Sequence, residues 1–138
     1  MTQKTLFDAN RIGNLELVNR LAIAPMTRVS AGPKGRVSQQ IIDYYRDFAC
    51  GGFGLIITEG LYTDRLYSQG YNGQPGLVNA EQGTGWQTLN QTVQGEGARI
   101  IAQLMHAGAL SQFNAFSAVT AGPSALQPQG TQMRLYDG

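Results

Sequence analysis

The sequence predicts an α/β fold assembled from parallel βαβ units. Three observations carry that expectation: three short apolar runs, two helix-length segments between them, and glycines where each helix gives way to the next run. The runs are "LAIA" (residues 21–24), "LIIT" (55–58) and "RIIAQL" (99–104). Parallel neighbours need a crossover and are buried on both faces, so their strands read as continuous apolar stretches rather than alternating ones.

Taken in order, "LAIA" is the first strand, and it breaks on "PMTR" (25–28). "SQQIIDYYRDFA" (38–49) reads as a helix with Ser38 as N-cap and with Ile41, Ile42, Tyr45, Phe48 and Ala49 on one face. Gly51 and Gly52 supply residues able to take positive φ where that helix closes, and "LIIT" follows as the second buried strand. The polar stretch "EGLYTDRLYSQGYNGQPGL" (59–77) is expected as a loop. Behind Asn79 as N-cap, "AEQGTGWQTLNQTVQGEGA" (80–98) spaces Trp86, Leu89, Asn90 and Val93 as a helix does, although Gly83 and Gly85 weaken its first turn. It gives way at Gly97 to the third strand, "RIIAQL". Residues 105–138 show no clear helix, and structureless stretches beyond ~12–15 residues are uncommon unless functional or disordered. Two architectures accept this pattern, a doubly wound sheet and a (β/α)8 barrel, and both place their chemistry in the loops at the carboxyl ends of the strands.

Composition narrows the function classes. The chain has 138 residues, 42% of them hydrophobic, which suits one core, and it shows no internal repeat or linker-like boundary. Net charge is +1, and the Lys and Arg are scattered from Lys4 to Arg134, so there is no electrostatic footprint for nucleic acid or membrane. No apolar run approaches the ~20 residues of a spanning helix. Cys50 is the only cysteine, and "MTQKTLFDAN" lacks the apolar core of a signal peptide, so a cytoplasmic setting is expected and the "NQT" sequon at Asn90 carries no meaning.

There is no G-x-G-x-x-G after a strand, no Walker loop and no H-E-x-x-H, and Cys50 and His106 are each alone of their type, so no metal site is expected. "GGFG" (51–54) could cradle a phosphate, but it precedes a strand and is better read as the turn that ends a helix. "TRVSAGPKGR" carries Arg28, Lys34 and Arg36; a solvated loop is the plainer reading, attraction of an anionic cofactor the sharper one.

Five stretches taken together are more specific than any one. "LFDANRIGNLELVNRLAIAPMTR", "GLIITEG", "GYNGQPGL", "IIAQLMHAG" and "GPSAL" resemble, in order and spacing, the successive N-terminal motifs of the old yellow enzyme family, across nearly the whole chain. The resemblance implies an FMN-dependent (β/α)8 barrel of which this chain supplies the N-terminal part, about three strands and two helices, with a hairpin around "IGNLEL" (12–17) closing the bottom. It implies a single domain over residues 1–138 whose remaining strands lie outside this chain. A doubly wound sheet with a small flavodoxin-like FMN carrier function falls behind, since no phosphate-binding loop follows the first strand.

The resemblance also assigns residues. Pro25 and Met26 match the floor under the flavin ring, Thr27 the donor to its C4 oxygen, Gly60 the backbone N–H that approaches the same oxygen, and Gln103 the partner of N3–H and the C2 oxygen. Those residue types suit a ring that needs an apolar floor and donors at its pyrimidine edge, where charge collects on reduction. Thr27 could instead cap a strand end, Gly60 be a turn glycine and Gln103 an inward strand residue. Tyr71 and Met105 match substrate-pocket positions, or are core; Met105 is a tryptophan in many relatives, which implies a roomier pocket here. Glu59 is read as orienting the strand-end loop, and His106 as a structural histidine. Ala109 departs from the common "HAGR" and puts an arginine contact there in doubt.

The family's substrate-anchoring His/His or His/Asn pair, proton-donating tyrosine, arginine near flavin N1 and phosphate site match nothing in this chain, so no catalytic residue is expected within it. The implied parent reaction is ping-pong reduction of an activated alkene by NAD(P)H through FMN. The expected partners are a complementary C-terminal portion of the barrel and a small-molecule alkene, with a homo-oligomer possible. The alternative is a non-catalytic truncated fragment without flavin, whose open barrel edges would self-associate.

Overall fold

The computed structural model describes residues 4–111 and 121–126 together with Gln129. A short antiparallel hairpin comes first: β1 (Asn10–Ile12) pairs with β2 (Leu15–Leu17) across the turn at residues 13–14. Three strands then form a parallel sheet in sequential order, β3 (Ala22–Ile23), β4 (Leu55–Tyr62) and β5 (Arg99–Met105), with Ala22 opposite Leu55 and Leu55 opposite Arg99.

The crossovers form where the caps predict. Helix α1 (Gln39–Cys50) starts on Ser38, whose Oγ accepts from the Ile41 amide at 3.2 Å and donates to the Ser30 carbonyl at 2.6 Å. It ends at a glycine pair in which Gly52, at φ +88°, takes the left-handed turn that a side chain would resist. Helix α2 (Ala80–Gly95) starts on Asn79, whose Oδ1 accepts from the Gln82 amide at 3.0 Å. Both helices lie on the same face of the sheet: Ile41, Tyr45 and Ala49 of α1 and Leu89 and Val93 of α2 share one core with Ile23, Ile56 and Ala98. Sequential strands with helices on one face contain no switch point, which is the arrangement of a barrel wall. Among the described residues the sheet has three strands and does not close.

The second strand differs from its sequence reading. It runs four residues past Thr58, through the Glu59–Gly60 pair that reads as the start of a loop. The reason is a β-bulge: Ile57 lies opposite Ile101, but Gly60 lies opposite Gln103, so β4 carries one extra residue at Thr58 and Glu59. The Thr58 hydroxyl fills the gap, accepting from the Gln103 amide at 3.0 Å and donating to the Glu59 carbonyl at 2.8 Å. Side-chain direction changes phase there. Thr58 and Leu61, three residues apart, both line an apolar groove with Trp86, Leu89, Ile100 and Ala102, the last two only two residues apart on β5. No helix among the described residues is long and apolar enough to cross a membrane.

Candidate functional site

The carboxyl ends of the three strands gather most of the residues singled out from sequence. The segment leaving β3 carries Pro25, Met26 and Thr27 to the surface, with Met26 44% exposed. Its path is set from β4. Glu59 is fully buried, and its Oε2 accepts from the Arg28 amide at 3.0 Å, with the Val29 amide also bonded to the carboxylate. Val29 sits at φ +56°, a strained conformation for a β-branched residue, and the next turn is tied by the Ala31 amide to the Gly73 carbonyl at 3.2 Å. The Arg28 guanidinium stacks over the Tyr44 ring, 4.3 Å from its centre. Burial raises the Glu59 carboxyl above its ordinary value, against the pull of the two amides and the Arg28 charge. The Glu59 Oε1 is buried with no hydrogen-bond partner. The Glu59 amide donates to the Tyr45 hydroxyl at 2.8 Å, so α1 holds the bulge from behind, and burial pushes the Tyr45 phenol well up.

Gly60 and Gln103 are register partners across β4 and β5. The Gln103 side chain is exposed at the sheet face and makes no hydrogen bond among the described residues, which leaves its donor and acceptor both open. The space a Cβ would take on Gly60 is filled by Met105, with Sδ at 2.5 Å, so the close approach observed at this glycine is by a neighbouring side chain. Met105 is half-buried and turned toward Gly60. Tyr71 is 8% exposed, and its hydroxyl donates a long bond, 3.5 Å, to Thr27 Oγ1; burial pushes its phenol up.

Gln74 is a residue that the sequence reading quoted and did not assign. Fully buried, it donates through Nε2 to the Gly60 carbonyl at 2.9 Å and accepts through Oε1 from the Gly70 amide at 2.7 Å, fastening the returning loop to the site strand. A glutamine between a glycine and a proline in a polar stretch looks solvated; only its depth reveals the role. His106 accepts through Nδ1 from the Gly108 amide at 3.0 Å, within its own loop, and stands 3.9 Å from Asp64 in the stretch after β4. Ala109 and residues 122–126 are exposed, while most of the stretch beyond Ser111 lies outside the described residues. Among the described residues no group of three His, Cys, Asp or Glu could hold a metal ion.

These residues fit a flavin ring by their chemistry. An exposed thioether and proline form an apolar shelf, and the Thr27 hydroxyl and the free Gln103 carboxamide offer donors with unspent capacity beside it. The shelf is linked to β4 through Glu59 and Arg28 and to the loop after β4 through Tyr71 and Thr27; among the described residues Pro25 and Met26 make no hydrogen bond of their own.

Comparison with known proteins agrees with that chemistry. The chain matches the NADH:flavin oxidoreductase / NADH oxidase family over residues 5–136. It is 43% identical over 105 residues to an NADH oxidase of Thermoanaerobacter brockii, covering 75% of this chain and 16% of that protein. It is 33% identical over 125 residues to a chanoclavine-I aldehyde reductase of Penicillium roqueforti, covering 91% and 31%. Among solved structures, the old yellow enzyme homologue from Zymomonas mobilis superposes with a TM-score of 0.80 at 30% identity, covering 98% of this chain and 37% of that one. The chain thus spans from 16% to 37% of the length of these relatives.

Proposed function

The chain belongs to the NADH:flavin oxidoreductase / NADH oxidase family, whose fold is the old yellow enzyme (β/α)8 barrel, and on that premise we propose that it is the flavin-seating part of an FMN-dependent ene-reductase. In this reading it works in the cytoplasm with a complementary C-terminal portion of the barrel, residues 1–138 being one part of a single domain. The observation that carries the reading is the pairing of Gly60 with Gln103 at strand ends, with the Gln103 carboxamide unengaged and the Thr27 hydroxyl exposed nearby in the fold.

Each residue has a stated task. Pro25 and Met26 provide the floor, Thr27 and the Gly60 N–H donate toward the C4 oxygen, and Gln103 pairs with N3–H and the C2 oxygen. Donors at that edge stabilise added negative charge, and hydrogen bonds to a charged acceptor contribute about 1.5–3 kcal/mol each. FMN, when bound, supplies the hydride chemistry that links NAD(P)H to the activated C=C bond of an unsaturated carbonyl or nitro compound. Tyr71 and Met105 shape the substrate side of the pocket. The proton donor and the groups that anchor substrate belong to the complementary portion, so this chain orients and tunes but does not complete the reaction.

The open edge of β5 favours a second reading, a fragment that binds no flavin. Ile101 is 41% exposed and Leu104 61%, apolar residues on the two faces of an edge strand that can pair with another copy. One experiment separates the two: the visible flavin spectrum and NAD(P)H oxidation with an activated enone, recorded for the chain alone and with the complementary portion. Colour and turnover that require both chains support the first reading; their absence in every combination leaves the second.

A further inference from the structure

Glu59 is the only fully buried carboxylate among the described residues, and no catalytic or binding task has been given to it. Burying a carboxylate is costly unless hydrogen bonds compensate, and an apolar residue would fill the same strand position without that cost. The compensation here is specific: both amides it accepts from, Arg28 and Val29, belong to the segment leaving β3, and its other oxygen is unpartnered. That segment is strained. A non-glycine residue held at φ +56° is in a sparsely populated conformation and persists only where its surroundings over-determine it.

We propose that Glu59 is the positioning residue of the flavin donors: from the bulge of β4 it grips the amides of Arg28 and Val29 and so fixes where Thr27 stands relative to Gly60. Two donors assigned to one flavin oxygen arrive from different strands. Glu59 is covalently joined to Gly60 and hydrogen-bonded to the residue after Thr27, so it is the shortest connection between them. Its own amide is held by Tyr45 at 2.8 Å, which refers the whole arrangement back to α1. The bulge makes this possible, because the extra residue turns a carboxylate toward the loop while leaving Gly60 opposite Gln103.

The consequence for flavin rests on the reading given above; the grip itself does not, and the test keeps the two apart. Amide hydrogen exchange is measured on the chain for wild type, Glu59→Ala and Glu59→Gln, with the amides of Ile56 and Ile100 as reference. Glu59→Ala should accelerate exchange at Arg28 and Val29 by roughly tenfold or more, and Glu59→Gln, which keeps one acceptor oxygen, should restore most of the Arg28 protection. FMN is then titrated into the same proteins, each with the complementary portion: Glu59→Ala should weaken FMN by roughly tenfold and Glu59→Gln by much less. Unchanged exchange at Arg28 and Val29 in Glu59→Ala overturns the proposal, as does a loss in Glu59→Gln that spreads equally to Ile56 and Ile100. If wild type takes up no FMN while the exchange pattern is as expected, the flavin reading fails and the grip stands.

Discussion

Strands β4 and β5 are almost equally apolar, "LIITEGLY" against "RIIAQLM", yet their surroundings are opposite. Every residue of β4 except Ile57 is buried, whereas five of the seven β5 residues are exposed and the other two half-buried. The difference is one of neighbours: among the described residues β4 is paired on both edges and β5 on one. Strand apolarity therefore records the burial a strand is built for, which in β5 exceeds what the described residues supply.

The largest test of that contrast is a pair of truncations. Ile56→Ala should cost about 3 kcal/mol, as for a fully buried position in a shared core, and Ile101→Ala less than about 0.5 kcal/mol, read by denaturant unfolding of each variant. Addition of the complementary portion should bring the Ile101 cost toward that of Ile56; equal costs in the chain alone would erase the contrast. Gly60→Ala comes next, at about 2 kcal/mol, because its Cβ would meet Met105 Sδ at 2.5 Å. Shortening the neighbour with Met105→Ala should recover most of that loss, and a double mutant showing no coupling would mean the two strands do not meet there as described.

Thr58→Val should cost about 1–2 kcal/mol, since the Gln103 amide loses its acceptor at the bulge, and exchange at Gln103 should rise ahead of Ile100. The smallest effect is on pH dependence. The Glu59 carboxyl is raised by burial, so it holds its proton more tightly folded than unfolded; its contribution is full at low pH and declines as pH rises from the ordinary carboxylate value through the raised one. Glu59→Gln should remove that decline, seen as a flatter stability profile over the same interval; a parallel profile would place Glu59 in a more ordinary environment.

Much of the fold could be read from residue order. Ser38 and Asn79 cap the helices they were expected to cap, and the three apolar runs are the three parallel strands. Those signals are local, a side chain satisfying an amide three residues on, or a run long enough to be buried. The length of β4 was not legible, because a charged residue beside a glycine looks like a strand's end unless the bulge that absorbs it is known. Gln74 escaped for the same reason, its partners being Gly60, fourteen residues away, and Gly70. The site residues are legible through resemblance to a family; how they are held, through Glu59, Gln74 and Tyr71, is visible only in the structure, because these are contacts between segments that no spacing rule encodes.

The bulge gives β4 two reading frames. Before it, Ile56 belongs to the helix-side core; beyond it, Leu61 lines the groove with Thr58 and the helix-side residues, an odd step along the chain. Were pairing to run on one-to-one past Ile57 and Ile101, Glu59 would stand opposite Gln103 and every later side chain would slide to the opposite face. The one extra residue thus decides whether the sheet presents a hydrogen atom or a carboxylate at that spot.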